Sequence, residues 1–282
     1  MLLPLLVRML LLPAAILASS TAASRQPPPP VPPLVFSAGF TDGAVLQRGD
    51  RGTAVYGFAS SAAPVKVTVS GSANYAVGAA VSSWTDDSGC NATACPDPRT
   101  HPMPAHGNFT WRAELQPQPT AGGEYSISVA AGGSTISITN LTYGDVYFCS
   151  GQSNMDLELY FTFSVDELKA QMQSGKYSNL RTFEYGYMNG GIQADAPQYV
   201  STWYPNSWNR VSESSLAPSG PPGGYSAHSQ WARFSATCMY FGAELIDAKH
   251  KMLGQEESEV PIGLIQSAVG GTQIVRSSYF TP

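Results

Sequence analysis

The sequence predicts an α/β protein in two parts, a β-sandwich-like amino-terminal domain followed by a parallel-sheet domain. Three observations carry this. Short β-branched and aromatic runs broken by Gly, Ser, Asn and Pro fill residues 34–142. The apolar run Val146 to Cys149 ends in small residues and a serine, as a buried strand does when it opens into an exposed turn. Apolar residues spaced by threes and fours from Phe234 to Leu253 then lead through Gly254 into Val260-Pro261-Ile262-Gly263-Leu264-Ile265, the helix-then-strand order of a parallel sheet.

The totals narrow the function classes. At 282 residues the chain can hold two modest domains, and its 43% hydrophobic content is that of a globular protein. Only 12% of residues are charged and the net charge is −5 with no basic run, so nothing points to a nucleic-acid partner. An acidic protein of this kind must hold any anionic ligand through local donors.

Residues 1–23 form a leucine-rich run with one Arg8 and end in Ala18-Ser19-Ser20-Thr21-Ala22-Ala23, the pattern of a cleaved secretory signal. Pro13 and Arg8 leave an apolar stretch shorter than the roughly 20 residues of a membrane span, so no stable membrane insertion is expected after cleavage. Sequons at Asn91, Asn108 and Asn140 agree with export to a secreted or lumenal location, extracellular, lysosomal or another secretory compartment. Residues 24–33, with Pro27 to Pro30, read as a solvated polyproline linker.

Within 34–142, Thr53 to Phe58, Val65 to Val69, Tyr125 to Val129 and Thr135 to Ile138 read as strands, and the period-two alternation of Val65-Lys66-Val67-Thr68-Val69 gives each one buried face. Cys90, Cys95, His101 and His106 follow a zinc-like order. In an exported chain a Cys90–Cys95 disulfide closing a surface loop is the stronger reading, with the histidines in a Pro-rich insertion, and no metal is expected. Cys149 and Cys238 sit in apolar runs as small hydrophobes, with a bridge between them left open.

The Tyr143-Gly144 break is taken as the start of the second domain, 143–282. In an α/β sheet the ligand crevice lies outside the carboxyl ends of the strands, so the hydroxyl of Ser153 is placed to face a substrate. The string Gly144-Asp145-Val146-Tyr147-Phe148-Cys149-Ser150-Gly151-Gln152-Ser153-Asn154-Met155 closely resembles the first sequence block of the sialate O-acetylesterase family, a branch of the SGNH hydrolases. Phe36 to Arg48, Asn108 to Trp111 and Gly122 to Tyr125 are similar to the small β domain that precedes the family's catalytic domain, and the helix, strand and Gly270-Gly271-Thr272 also resemble it.

The resemblance implies a flavodoxin-like SGNH domain in which Ser153 is the nucleophile. It further implies that Gly151, Gln152 and Asn154 support its turn, and that the N–H groups of Ser153 and of Gly270 or Gly271 stabilise the oxyanion. The implied reaction removes O-acetyl groups from sialic acid or a related sugar and uses no cofactor. Its base and acid are not evident: the family's Gln-Gly-Glu segment and Asp/His pair are missing, and about three parallel strands are expected where a full sheet has five or so. The SGNH domain is therefore expected to be truncated, with a catalytically silent or sugar-binding pseudo-esterase as the alternative function.

Two further segments complete the survey. Ser164-Val165-Asp166-Glu167 reads as a capping box and Gly175 as the stop of a helix. Asp247 and His250 have the spacing that SGNH hydrolases use for acid and base, but share the polar face opposite the stripe of Phe234, Cys238, Phe241, Leu245, Ala248 and Met252, so they are expected to face solvent; His228 has no acid beside it. Trp203, Trp208 and Tyr225, in a long Gly- and Pro-rich stretch, read as packing aromatics more than as sugar-stacking ones.

Overall fold

Alternating apolar residues at the middle of the chain build a strand much longer than the sequence suggests. In the computed structural model, which describes residues 34–37, 39–83, 109–184, 207–210, 230–253 and 259–268, β8 runs unbroken from Ser134 to Gly151. The expected break at Gly144 is absent because that glycine serves close approach: a Cβ there would lie 2.0 Å from the Pro261 carbonyl oxygen. The expected domain division at 142–143 thus falls inside β8.

Ahead of β8 come β1 (Leu34–Phe36), β2 (Val45–Gln47), β3 (Ala54–Ala59), β4 (Val65–Gly71), β5 (Tyr75–Ser83), β6 (Phe109–Glu114) and β7 (Gly122–Ala131). After it come α1 (Ser153–Asp156), a 3₁₀ turn (Leu159–Phe161), α2 (Val165–Gln173), β9 (Leu180–Glu184), β10 (Asn209–Arg210), α3 (Gln230–Arg233), α4 (Ala236–Leu253) and β11 (Ile262–Ala268). The strands form one mixed sheet in the order β1-β3-β6-β5-β4-β7-β8-β11-β9-β10, with β2 joined to β8.

The sheet changes character along β8. Its first part, to Tyr143, pairs antiparallel with β7, whereas Asp145 to Gly151 pair parallel with β11. β11 in turn lies parallel to β9, so the parallel order is β8-β11-β9. A flavodoxin-like order would flank the first of these strands in the chain with the later two; here the last strand is the middle one.

Two hydrophobic cores follow from this division. In the antiparallel part, buried residues of β1, β3 and β6 (Leu34, Val55, Trp111) share one cluster with those of β4, β7 and β8 (Val67, Val69, Ile127, Val129, Leu141). In the parallel part, α2 and α4 cover one face through Leu168, Met172, Cys238, Met239, Ala243 and Ile246 against Leu180, Ile262 and Leu264. The other face meets the first core, since Gly263 lies under Val45 and Trp208. Both faces of β11 are therefore covered, which is why Ile262 to Ile265 read as an apolar run.

α4 is the expected helix, but its buried face is rotated from the expected stripe. Cys238, Met239, Gly242, Ala243 and Ile246 are buried, while Phe241, Ala248 and Met252 are exposed. Small residues decide this: Gly242 lets the helix axis come down onto Leu264 and Leu180, where a Cβ would approach within 2.6 Å of Leu264 Cδ1. α2 also matches expectation in span, with Gly175 at φ +84° behind it, but Ser164 makes no side-chain capping bond. Trp208 is buried against Phe183 and donates its Nε1–H to the Gly39 carbonyl, so it packs. Among the described residues no helix is long and apolar enough to cross a membrane.

Polar clasps fix β8 where its pairing changes. Asp145 accepts from Arg48 Nε at 2.8 Å and from Lys249 Nζ, joining β8 to the end of β2 and to the last turns of α4. Burial pushes the Asp145 carboxyl up, but the hydrogen bonds from Arg48 and Lys249 together outweigh it and hold it below the usual carboxylate range. Buried Arg181 donates Nη1–H bonds of 2.6 Å to the carbonyls of Gly43 and Asn140. Asn140 takes φ +56°, a left-handed conformation that asparagine tolerates.

Asp145→Asn is expected to lower unfolding stability at neutral pH by about 2–3 kcal/mol, because two cations stay half-buried without their anion. In the wild-type protein this contribution is present above the ordinary carboxylate pKa and lost as pH falls through the lowered native value, so urea unfolding is expected to show a mutant deficit at pH 7 that shrinks as the pH is taken below the ordinary carboxylate range.

Candidate functional site

The carboxyl end of β8 passes into a turn built around one glycine and one carbonyl. Gly151 has no Cβ to collide with Met155, whose Cβ would be 2.9 Å away, so α1 folds back over the strand end. The Gln152 carbonyl accepts the N–H groups of Met155 and Asp156, closing the single turn of α1. Gln152, Ser153 and Asn154 are exposed, with Ser153 at the first helical position.

A second segment, distant in sequence, holds this turn. The Ala236 N–H donates to the Leu157 carbonyl at 2.8 Å, the Leu159 N–H donates to the Phe234 carbonyl at 2.9 Å, and Glu158 forms an antiparallel bridge with Ser235. Ser235 is fully buried; its N–H donates to Gln266 Oε1 at 2.6 Å, and its hydroxyl accepts the Cys238 N–H and contacts Met155 Sδ. A disulfide between Cys149 and Cys238, with Cα atoms 5.9 Å apart, ties the strand end to the first turn of α4. The pairing left open by the sequence is thus a bridge four residues before Ser153.

Across the sheet, Cys149, Gln266 and Glu184 stand in register on the three parallel strands and share the face that α4 covers. Glu184 is 8% exposed, and no described group hydrogen-bonds its carboxyl. Burial pushes that carboxyl up to about 8, the nearby charges of Glu158 and Asp156 push the same way, and Arg233 opposes them. Arg233 is itself buried, and Tyr160, beside Glu158, is pushed up to about 12, first by burial and then by its hydrogen bond to Glu158. The site thus has an exposed hydroxyl on α1, a buried carboxyl at Glu184, and the half-buried Asp156 and Glu158.

Other expected site residues fall in different places. Asp247 accepts from Lys176 Nζ at 2.7 Å and from the Tyr177 hydroxyl at 3.1 Å, and His250 is exposed on the last turns of α4. Twelve residues separate His250 from Cys238, about 18 Å along a helix, so this pair is at the far end of the sheet from Ser153. A cleft of about 560 Å³ beside it is lined by Lys176, Arg210, Asp247, His250 and Glu259 and lies at that same far end. Asn140 is exposed on β8. Gly270, Gly271, His228, Cys90, Cys95, His101, His106, Asn91 and Asn108 lie outside the described residues. Among the described residues no group of three His, Cys, Asp or Glu side chains is arranged to hold a metal ion.

Sequence comparison adds a lineage to this geometry. No family model matches the chain. The sialate O-acetylesterase of Mus musculus is 27% identical over 169 residues, 58% of this chain and 26% of that protein. The chain is a relative of the sialate O-acetylesterases. The Rattus norvegicus enzyme is 26% identical over 82% of this chain, and the Homo sapiens enzyme 24% identical over 85% of it. This esterase relative spans between about a quarter and two fifths of their length, 26% to 38%. A crystal structure of a carbohydrate acetylesterase from Xanthomonas citri aligns with 85% of this chain and 41% of its own, at 21% identity and a TM-score of 0.49.

Sequence reasoning about this sialate O-acetylesterase relative missed Ser235, Gln266, Glu184 and Arg233. No local pattern marked Glu184: the run Leu180-Arg181-Thr182-Phe183 before it holds a charge and a hydroxyl where a buried strand usually reads apolar.

Two outcomes follow for this turn. Replacing Cys149 and Cys238 together by Ala is expected to cost about 3 kcal/mol of unfolding stability, read by urea denaturation with and without reductant, with reductant lowering the wild-type stability by more than it lowers the variant's. Because the native Glu184 carboxyl titrates well above its unfolded value, ionising it costs stability as pH rises from about 5 to 8. Glu184→Gln is expected to flatten that decline and to raise the melting temperature at pH 8 by several degrees relative to wild type.

Proposed function

We propose that this chain carries the nucleophile portion of a carbohydrate O-acetylesterase site, with Ser153 as the attacking group. The observation that carries this reading is the position of Ser153: exposed, on the first turn past a buried parallel strand, and clamped by residues 234–238. Descent shared with sialate O-acetylesterases supports the same chemistry. The β-sandwich-like layer, the SGNH character of the parallel part and the secretory location belong to the same proposal.

In this mechanism the Ser153 hydroxyl attacks the acetyl carbonyl carbon as a histidine removes its proton, giving a tetrahedral intermediate whose oxyanion is received by the Ser153 N–H and by an N–H of Gly270 or Gly271. The C–O bond to the sugar breaks as the sugar oxygen regains a proton, and water then releases acetate. The Ser153 N–H faces no acceptor within α1, as expected for the first residue of a helix. Gly151 and Gln152 shape the turn, and the Asn154 carbonyl is held by Thr237 Oγ1 at 3.4 Å.

A second reading has a specific observation behind it. The one described histidine, His250, is at the far end of α4, so the described residues bring no histidine to Ser153. A sugar-binding pseudo-esterase would have this arrangement.

Acetate release from an O-acetylated sugar, measured on wild type, Ser153→Ala and His250→Ala, separates the two. The esterase reading expects wild-type turnover, a loss in Ser153→Ala of about 10³-fold or more, and no change in His250→Ala. Equal release from wild type and Ser153→Ala would favour the silent protein.

A further inference from the structure

Ile262, Leu264 and Gln266 alternate along β11 and so share the face that α4 covers, where the first two pack in the core and the third is an amide only 2% exposed. A buried amide in an apolar row costs free energy unless it is hydrogen-bonded. Its oxygen has a partner: Gln266 Oε1 accepts the Ser235 N–H at 2.6 Å.

The conformation of Ser235 decides what that bond holds. Ser235 caps α4, its hydroxyl accepting the Cys238 N–H at 3.1 Å and its carbonyl the Met239 N–H at 2.9 Å. Its two neighbours pair with the segment that follows Ser153: the Ala236 N–H donates to the Leu157 carbonyl, and the Phe234 carbonyl accepts the Leu159 N–H. Backbone groups alternate in direction along such a pair, so the Ser235 N–H points away from Leu157 and Leu159 and toward β11. Phe234 to Ala236 thus form a two-sided clip, with the continuation of the serine turn on one side and the amide of the middle parallel strand on the other. The Ser235 hydroxyl also contacts Met155 Sδ at 3.5 Å, and the Thr237 hydroxyl donates to the Asn154 carbonyl at 3.4 Å, so the clip reaches α1 directly.

We infer that Gln266 is a positioning residue for Ser153, acting through Ser235. Its amide oxygen fixes the clip against β11, and the clip fixes α1, which carries the Ser153 hydroxyl. This role rests on the esterase function proposed above. Without the bond the clip is free to shift on the sheet, and a displacement of about 1 Å at a reacting group lowers turnover about 10²-fold.

The test uses the full chain and measures acetate release from 9-O-acetyl-N-acetylneuraminic acid and from an O-acetylated methyl hexoside, with thermal melting of each variant. Gln266→Met keeps the side-chain length and suits the apolar row but removes the acceptor; the expected result is a kcat about 10- to 100-fold below wild type with KM within about twofold. Gln266→Glu keeps an oxygen at the same reach and is expected to hold kcat within about threefold of wild type. A packing role alone predicts the reverse order, because Met suits a buried apolar row better than Glu. Met155→Leu takes away the sulfur that the Ser235 hydroxyl contacts at nearly constant volume and is expected to lower kcat about threefold at unchanged KM; it decides the question if Gln266→Met does not melt cooperatively. Wild-type kcat in the deciding variant, or a Gln266→Glu protein slower than Gln266→Met, overturns the positioning role and leaves the esterase function standing. Absence of acetate release by the wild-type protein from both sugars overturns the esterase function and the role of Gln266 together.

Discussion

Everything in the described structure depends on β8 being one strand with two kinds of partner. Antiparallel pairing with β7 gives way to parallel pairing with β11 around Gly144, where the chain passes so close to Pro261 that no side chain fits. The ion cluster of Asp145, Arg48 and Lys249 sits at this crossing and ties β2, β8 and α4 together. Because the strand is continuous, the position of Ser153 is set by the antiparallel layer at one end of β8 and by the α4 clamp at the other.

That clamp explains how an exposed serine can be held in place by buried parts. Ser153 makes few contacts of its own, yet the residues on either side are fixed: Cys149 by its disulfide, Met155 by Ser235, and Leu157 and Leu159 by backbone bonds to Ala236 and Phe234. Gln266 passes this order to the middle strand, and Glu184 extends the polar row to the third. Preorganisation of this kind keeps a reacting group in position without burying it.

Much of this was legible in the sequence, and the parts that were not have physical reasons. Period two in Val65 to Val69 gave β4 directly, and the apolar run Val260 to Ile265 marked a covered parallel strand. Gly144 misled because a glycine needed for close approach looks the same as one needed for a turn. The stripe on α4 misled because large side chains outweigh small ones in a periodicity count, whereas the helix packs through Gly242 and Ala243. The motif around Ser153 was readable as a string. Its supports were not, because Ser235, Cys238, Gln266 and Glu184 are distant in sequence and only sheet register brings them together.

The Cys149–Cys238 bridge spans 89 positions of sequence, which has a consequence for how the protein comes into being. During synthesis the serine turn leaves the ribosome well before the segment that must hold it, at about 5–20 residues per second. Until α4 arrives, the end of β8 has neither its disulfide partner nor its backbone partners. The antiparallel layer can pair as it emerges, so the turn carrying Ser153 is the part of the fold completed late, after residue 238 has been made.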